Sequence, residues 1–316
     1  MSFVIRPFAP TDYEAVAAIV SNAYPENLTT AEEVQYDDEH RAPHCKSQRW
    51  VAELDGKVVA YVDYTQWEGR YHPQKFWIYG GVLPGYQQQG MGTALYETIS
   101  KALAALNPMT VYAQAREDLP HGMKFLTDRG YVEIERTWES VLDLAGFDPE
   151  PWRAYAAKVE SAGIRLISQA ELASDPERDT KLHALINQLR IDVPSPEPAT
   201  AIPWENFVER YVTSPTLLPE GCFVAVTPDG RYVGFTGLYK DSGDGLFNTG
   251  LTGVLREYRG SGIAQALKLK ATLWAREQGA RGIRTFNAST NAPMLAINLR
   301  MGFVRRPAWV DFARHF

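Results

Sequence analysis

Apolar and polar residues alternate along two short blocks of the chain, each bracketing a tight turn. In "RWVAELDGKVVAYVDY", residues 49–64, two strand-like runs flank Asp55-Gly56, a hairpin signal. "CFVAVTPDGRYVGFTGLY", residues 222–239, repeats the pattern around Asp229-Gly230. A third apolar run follows each hairpin, at 76–83 in the first half and at about 247–255 in the second. The period then changes to that of an amphipathic helix, in "GTALYETISKALAAL" and in "IAQALKLKATLWAREQG". Strand character returns in "MTVYAQ" and "GIRTFNA". The segments "HGMKFLTDRGY" and "NAPMLAINLRMGF" predict a helix ending at a Gly-aromatic pair. A last strand is predicted in "VEIERTWESVLDL" and in "VRRPAWVDFAR", and a strand plus helices opens each half.

The two halves are related by a fixed displacement. Gly81, Val82, Leu83, Tyr86, Gly90, Ala94 and Leu95 recur 172 residues later as Gly253, Val254, Leu255, Tyr258, Gly262, Ala266 and Leu267. Gly130 of "DRGY" meets Gly302 of "RMGF" at the same displacement, with no gap across the span. Chance could align one glycine turn, but not the turn and a distant Gly-aromatic pair together. The chain is therefore read as an internal duplication.

Composition narrows the class. The chain has 316 residues, enough for about two domains. It is 45% hydrophobic and 22% charged with a net charge of −6, so a basic nucleic-acid footprint is not indicated. Cys45 and Cys222 cannot form a disulfide framework and fit a reducing compartment. No apolar run approaches the roughly 18 residues of a membrane helix, and the N-terminus lacks the pattern of a signal peptide. A cytoplasmic location is expected.

Both halves place glycines directly before a helix, as in "REYRGSGIAQALK", residues 256–268. A helix start leaves backbone N–H groups unpartnered and partly positive. Glycine there lets a phosphate approach closely. The turn reads as a diphosphate cradle or as a bare loop cap. Its survival in both copies argues against the bare cap.

These residues resemble the GNAT superfamily of acetyl-CoA-dependent N-acetyltransferases. Its signature, Gln/Arg-x-x-Gly-x-Gly/Ala after the fourth strand, stands here as Gln87-x-x-Gly90-x-Gly92 and as Arg259-x-x-Gly262-x-Ala264. The resemblance implies an α/β (α+β) chain of two tandem domains, each a mixed, mostly antiparallel, twisted sheet flanked by helices. The expected boundaries are 1–144, a linker at 145–160, and 161–316. It implies acetyl-CoA as co-substrate, an amine acceptor, and no metal. The cofactor residues it implies in the second copy are Thr252, Gly253 and Val254 on the strand edge, Arg259, Gly260, Ser261, Gly262, Ile263 and Ala264 in the turn, and Asn291 and Asn298 beyond. In the first copy they are Gly80, Gly81, Val82, Gln87, Gln88, Gln89, Gly90, Met91 and Gly92. The pantetheine arm would insert where the fourth and fifth strands splay apart. The implied activity is acetyl transfer to a primary amine of a small molecule or peptide. The rival is an acyl-CoA-binding sensor or scaffold without turnover.

The sequence departs from the family at one telling place. A tyrosine often stands four residues before the Gly-aromatic pair, as acid for the leaving thiolate. Here the position holds Leu126 and Asn298. Leucine cannot donate a hydrogen bond, and asparagine cannot give up a proton at neutral pH. Gln88 stands where the second copy has Gly260, and Leu119 and Gly122 replace Asn291 and Met294. The second copy is therefore the better expected site. Asp241 and Asp244 are candidates for holding a cationic amine, with a simple loop turn as the alternative. His40, His44 and Cys45 read as a solvated loop rather than a metal site, and Asp37–Glu39 as a solvated face. Trp67, Tyr71, Phe76 and Trp77 read as core packing, with a cleft lining as the alternative.

Overall fold

The computed structural model describes residues 3–24, 28–68, 71–194, 199–240 and 244–316, so Asp241 lies outside the described residues. The chain divides into two compact units: residues 1–135 with 309–316, and residues 136–308.

The first unit holds strands β1 (Val4–Pro7), β2 (Ser47–Leu54), β3 (Lys57–Thr65), β4 (Lys75–Val82) and β5 (Thr110–Arg116). They pair in that order, antiparallel except for the parallel β4–β5 pair. The last strand of the chain, Trp309–His315, pairs antiparallel with β5. Successive side chains of a strand point to opposite faces, and helices cover both. On one face, Val62 and Tyr64 pack with Met91, Leu95, Ile99 and Leu103 of α3 (Met91–Ala104), spaced four apart as a helix stripe requires. On the other, Tyr61 and Val51 pack with Val16, Ala17 and Ile19 of α1 (Tyr13–Ala23). Helix α2 (Ala31–Glu39) has no sequence-predicted counterpart. Its start is a capping box: Glu33 N–H donates to Thr30 Oγ1 at 3.2 Å and Thr30 N–H to Glu33 Oε2 at 2.8 Å. The acidic residues 37–39 lie on this helix, with Asp38 paired to Arg41 and Arg49. Helix α4 (Pro120–Thr127) follows β5.

The second unit begins within β6 (Val132–Asp143) and continues through α5 (Glu150–Ser161), β7 (Arg165–Ser168), α6 (Arg178–Arg190) and α7 (Trp204–Tyr211). Then come β8 (Phe223–Val226), β9 (Tyr232–Lys240), β10 (Leu246–Val254), α8 (Ile263–Glu277), β11 (Gly282–Ala288), α9 (Ala292–Met301) and β12 (Val304–Arg305). The sheet order is β6-β11-β10-β9-β8-β7, with β12 also on β6. Only β10–β11 is parallel among these pairs.

Two features depart from the expected boundaries. The last strand, β13, completes the first unit's sheet, while residues 137–143 of β6 complete the second by pairing with β11. The expected linker is also structural. Trp152 and Val159 of α5 are buried with Leu182, Leu267 and Phe235 in the second unit's core. Its apolar residues recur on one helix face, and that face is covered.

Candidate active site

In each unit the parallel pair opens into a fork. β4 and β5 pair only from Lys75–Thr110 to Ile78–Ala113, although β4 continues to Val82. β10 and β11 pair only from Leu246–Gly282 to Asn248–Arg284, although β10 continues to Val254. The strand edges implied by the sequence, Gly80–Val82 and Thr252–Val254, thus lie beyond the last paired residues. β10 also carries a one-residue bulge against β9, between Thr249 and Thr252; β4 runs against β3 without one. A bulge increases local twist and re-aims side chains. Helices cross these edges closely. A Cβ on Gly81 would lie 2.9 Å from Ile19 Cγ2, and one on Gly253 would lie 3.2 Å from Leu189 Cδ2.

The glycine turns follow. Gly90 (φ +86°) and Gly262 (φ +96°) are the left-handed caps of α3 and α8. Gln88 (φ +59°) and Gly260 (φ +74°) are left-handed too, so the first unit holds a glutamine where the backbone favours glycine. The main-chain N–H groups of Gln88–Gly92 and of Gly260–Ala264 donate no backbone hydrogen bond among the described residues. Gln87 Nε2 donates to Val82 O and Arg259 Nε to Val254 O, both at 3.0 Å. The second guanidinium nitrogen of Arg259 meets Asp192, which also receives Arg256 Nε at 2.9 Å. The Arg256 bond, with Arg259 beside it, holds the Asp192 carboxyl down to about 2.

The surroundings of the turns differ. Gly90 is exposed, whereas Gly262 is buried under α5. A Cβ on Gly262 would lie 3.0 Å from Tyr155 Cδ1. A side chain at 262 therefore meets Tyr155 as well as any incoming phosphate. Sequence reasoning missed this partner because α5 reads as a linker.

Deeper in the second fork, Asn298 is 2% exposed, and its Nδ2 donates to Asn287 Oδ1 at 2.6 Å. Asn298 Oδ1 is buried without a partner among the described residues. The first unit has Ala115 and Leu126 at these two positions, 172 residues earlier. Asn287 is visible in the sequence only once the strand after the turn is aligned between copies. Asn291 caps α9, its side chain accepting Met294 N–H at 3.4 Å.

The opposite faces also diverge. In the first unit Trp77 stacks on Tyr79 (centroids 6.2 Å, 10°) and on Tyr112 (4.9 Å, 27°). Phe76 lies in the core as expected, while Trp67 and Tyr71 are 43% and 41% exposed. The corresponding second-unit positions hold Thr249, Leu251 and Arg284. Arg284 is buried, 3.1 Å from Glu139 Oε1, and paired with Asp244. Asp244 Oδ1 also accepts Leu246 N–H at 2.9 Å. Its carboxylate is thus engaged by an arginine and a turn. His40 Nδ1 lies 2.9 Å from Tyr36 O, and His44 packs edge-on against Tyr71. No group of three metal-ligating side chains occurs among the described residues, and no described helix is long and apolar enough to cross a membrane.

The acetyltransferase (GNAT) family model matches twice, over residues 13–131 and 185–303. These spans are displaced by the same 172 residues as the sequence repeat. A mycothiol acetyltransferase of Geodermatophilus obscurus is 24% identical over 299 residues, covering 90% of this chain and 87% of that protein. Another, from Thermobifida fusca, is 25% identical over 232 residues, 70% of this chain and 69% of that protein. A GCN5-related N-acetyltransferase from Sphaerobacter thermophilus superposes with a TM-score of 0.73 at 20% identity, covering 99% of this chain and 95% of its own. A tandem GNAT protein from the clavulanic acid biosynthesis pathway superposes at 0.71 with 20% identity, covering 99% and 98%. At such identities the structural likeness speaks to the fold alone.

Proposed function

The chain belongs to the acetyltransferase (GNAT) family, and from that premise we propose that it moves an acetyl group from acetyl-CoA to a primary amine, with the second fork as the reaction site. The observation that carries the choice of fork is the Asn287–Asn298 pair, in which Asn298 is buried and its Oδ1 left unpartnered. A buried polar atom without a partner costs about 1–3 kcal/mol, which a ligand N–H in the fork would offset. The first fork offers only apolar side chains there.

The residues suit the cofactor. The unpaired N–H groups of Gly260–Ala264 at a helix start would hold a diphosphate. Thr252–Val254 offer main-chain groups on the open side of β10 to an extended amide arm. Acetyl-CoA would supply the acetyl group as an activated thioester. Asn298 orients by hydrogen bonding and does not act as an acid.

Amine-dependent release of free CoA thiol, followed across an amine panel, tests the reading. Mycothiol chemistry comes first in that panel, given the relatives' name. Release that rises with one amine supports transfer. A second reading, acyl-CoA binding without turnover, is favoured by Leu126 and Asn298 at the position of the proton-donating tyrosine. Tight acetyl-CoA binding with no amine-dependent release would select it.

A further inference from the structure

We propose that the first unit binds a small monocarboxylate with an apolar body, in a cavity between α3, β5 and β13. Such a site stands whether or not the forks take acetyl-CoA. The cavity measures about 480 Å³, within the roughly 300–1,000 Å³ usual for small-ligand sites. Ile99, Leu103, Pro108 and Val111 give it apolar walls, and Tyr96, Tyr131 and Arg314 supply its polar groups. Ser100 and Ala104, half-buried and exposed, line it from the C-terminal half of α3, so it is reached from solvent along that helix. The glycine turn stands at the other end, before Met91.

One cation faces this cavity. Arg314 Nη1 donates to Tyr96 Oη at 3.1 Å, its guanidinium lies 4.8 Å from the Phe316 ring centre, and it forms no ion pair among the described residues. Arg129 also approaches Tyr96, 5.1 Å from the ring centre. It is outside the lining and donates to Phe125 O at 3.0 Å and to Thr93 Oγ1 at 3.1 Å. The Tyr96 and Tyr131 rings are 6.4 Å apart, edge to face. Burial, with the Tyr96 phenol beside it, holds the Tyr131 phenol above its ordinary range, so it stays a proton donor. One guanidinium and two neutral phenols balance a single negative charge and can donate to both oxygens of a carboxylate. A phosphate dianion would leave half its charge unpaired, and an ammonium would meet Arg314. The apolar body of the acid would bury its carbons against Ile99 and Leu103.

The second unit has closed the corresponding space. Lys268 and Phe303 stand at the positions of Tyr96 and Tyr131, with Lys268 Nζ 4.9 Å from the Phe303 ring centre. Thr272 stands at the position of Ser100 and is 2% exposed. There α5 packs along α8. In the first unit the matching helix face stays open, which keeps a cavity between α3 and the sheet.

Equilibrium dialysis of octanoate against the full chain tests the site, with octan-1-ol and octylamine as probes of the same apolar length. Octanoate is expected to saturate a single site and to bind about tenfold more tightly than either. Arg314→Gln should bring octanoate down to the affinity of octan-1-ol and leave the alcohol unchanged, while Arg314→Lys should keep part of the difference. Ser100→Trp, which fills the cavity from α3, should abolish octanoate binding. Ala104→Trp, at an exposed position of the same helix face, takes its place if melting shows the first variant unfolded. No saturable octanoate binding, an alcohol or amine bound as tightly as the acid, a preference that survives Arg314→Gln, or binding unchanged in the folded tryptophan variant overturns the site.

Discussion

In the first unit Gln87 braces Val82 O at 3.0 Å, and in the second Arg259 braces Val254 O at the same distance. Both turns use two left-handed residues and end in a left-handed glycine cap. Around this shared frame the side chains have separated. The first fork is lined by Ala115 and Leu126, the second by Asn287 and Asn298. The first turn is open at Gly90, and the second is roofed by Tyr155. The first unit presents stacked aromatics where the second buries Arg284 with Glu139 and Asp244. The turn needs only a side-chain donor and a backbone able to turn left, so many sequences can keep it. The lining is free to specialise, and the chemistry belongs to the lining rather than to the fold.

Cutting the chain between the copies should break the comparison most completely. Residues 161–316 would lack α5 and β6 and carry β13, a strand of the other unit. That fragment is expected to show no cooperative thermal unfolding, whereas residues 136–308 should melt as one unit. A sharp native-like melt of the first fragment would contradict this. Next comes a matched pair of turn substitutions. Ser261→Trp should lower acetyl transfer by about a hundredfold or more, while the aligned Gln89→Trp should lower it far less. Equal losses would assign the reaction to both forks, and the reverse order to the first.

Asn298→Ala sharpens the comparison at one side chain. Loss of a single hydrogen bond costs about 0.5–1.5 kcal/mol, so kcat at saturating acetyl-CoA should fall by up to about tenfold. A fall beyond about a thousandfold, with cofactor affinity unchanged, would show that Asn298 stabilises the transition state itself. The smallest effect concerns Lys268, which stands where the first unit has Tyr96. Burial pushes its amine down to about 8, below the roughly 10.4 of an unfolded lysine. Between these values the unfolded chain binds more protons, so this residue's penalty is full below about pH 8 and fades as pH rises toward about 10.4. Lys268→Met should therefore raise the melting temperature at pH 7 and lose that advantage near pH 10.4. A pH-independent difference would remove the buried amine as its cause.

Much of this was legible because the local signals agree. The hairpin at Asp55-Gly56 appears as β2 and β3, and "GIRTFNA" is β11. The fork edges and turn residues lie where the repeat puts them. Helix α2 was missed: its apolar face is thin, with Val34 alone buried, and only the Thr30–Glu33 capping box marks its start. Strand ownership was not readable. Alternation in "VEIERTWESVLDL" and "VRRPAWVDFAR" says that each is half-buried, not against which sheet. The latter also breaks, into β12 and β13. Asn298 was visible, but its partner Asn287 and the roof supplied by Tyr155 depend on contacts between elements far apart in sequence.

The placement of β13 sets an order of events at the ribosome. Thr110 and His315 are paired across 205 residues, and their side chains meet at 3.1 Å. Domains generally fold as they emerge, N-terminal first. Here the first domain to be synthesised cannot close its sheet until residues 309–315 have emerged, whereas residues 136–308 are all available before then. The first-made domain is thus finished after the second. Until that strand emerges, β5 waits with an open edge through the whole synthesis of the second unit.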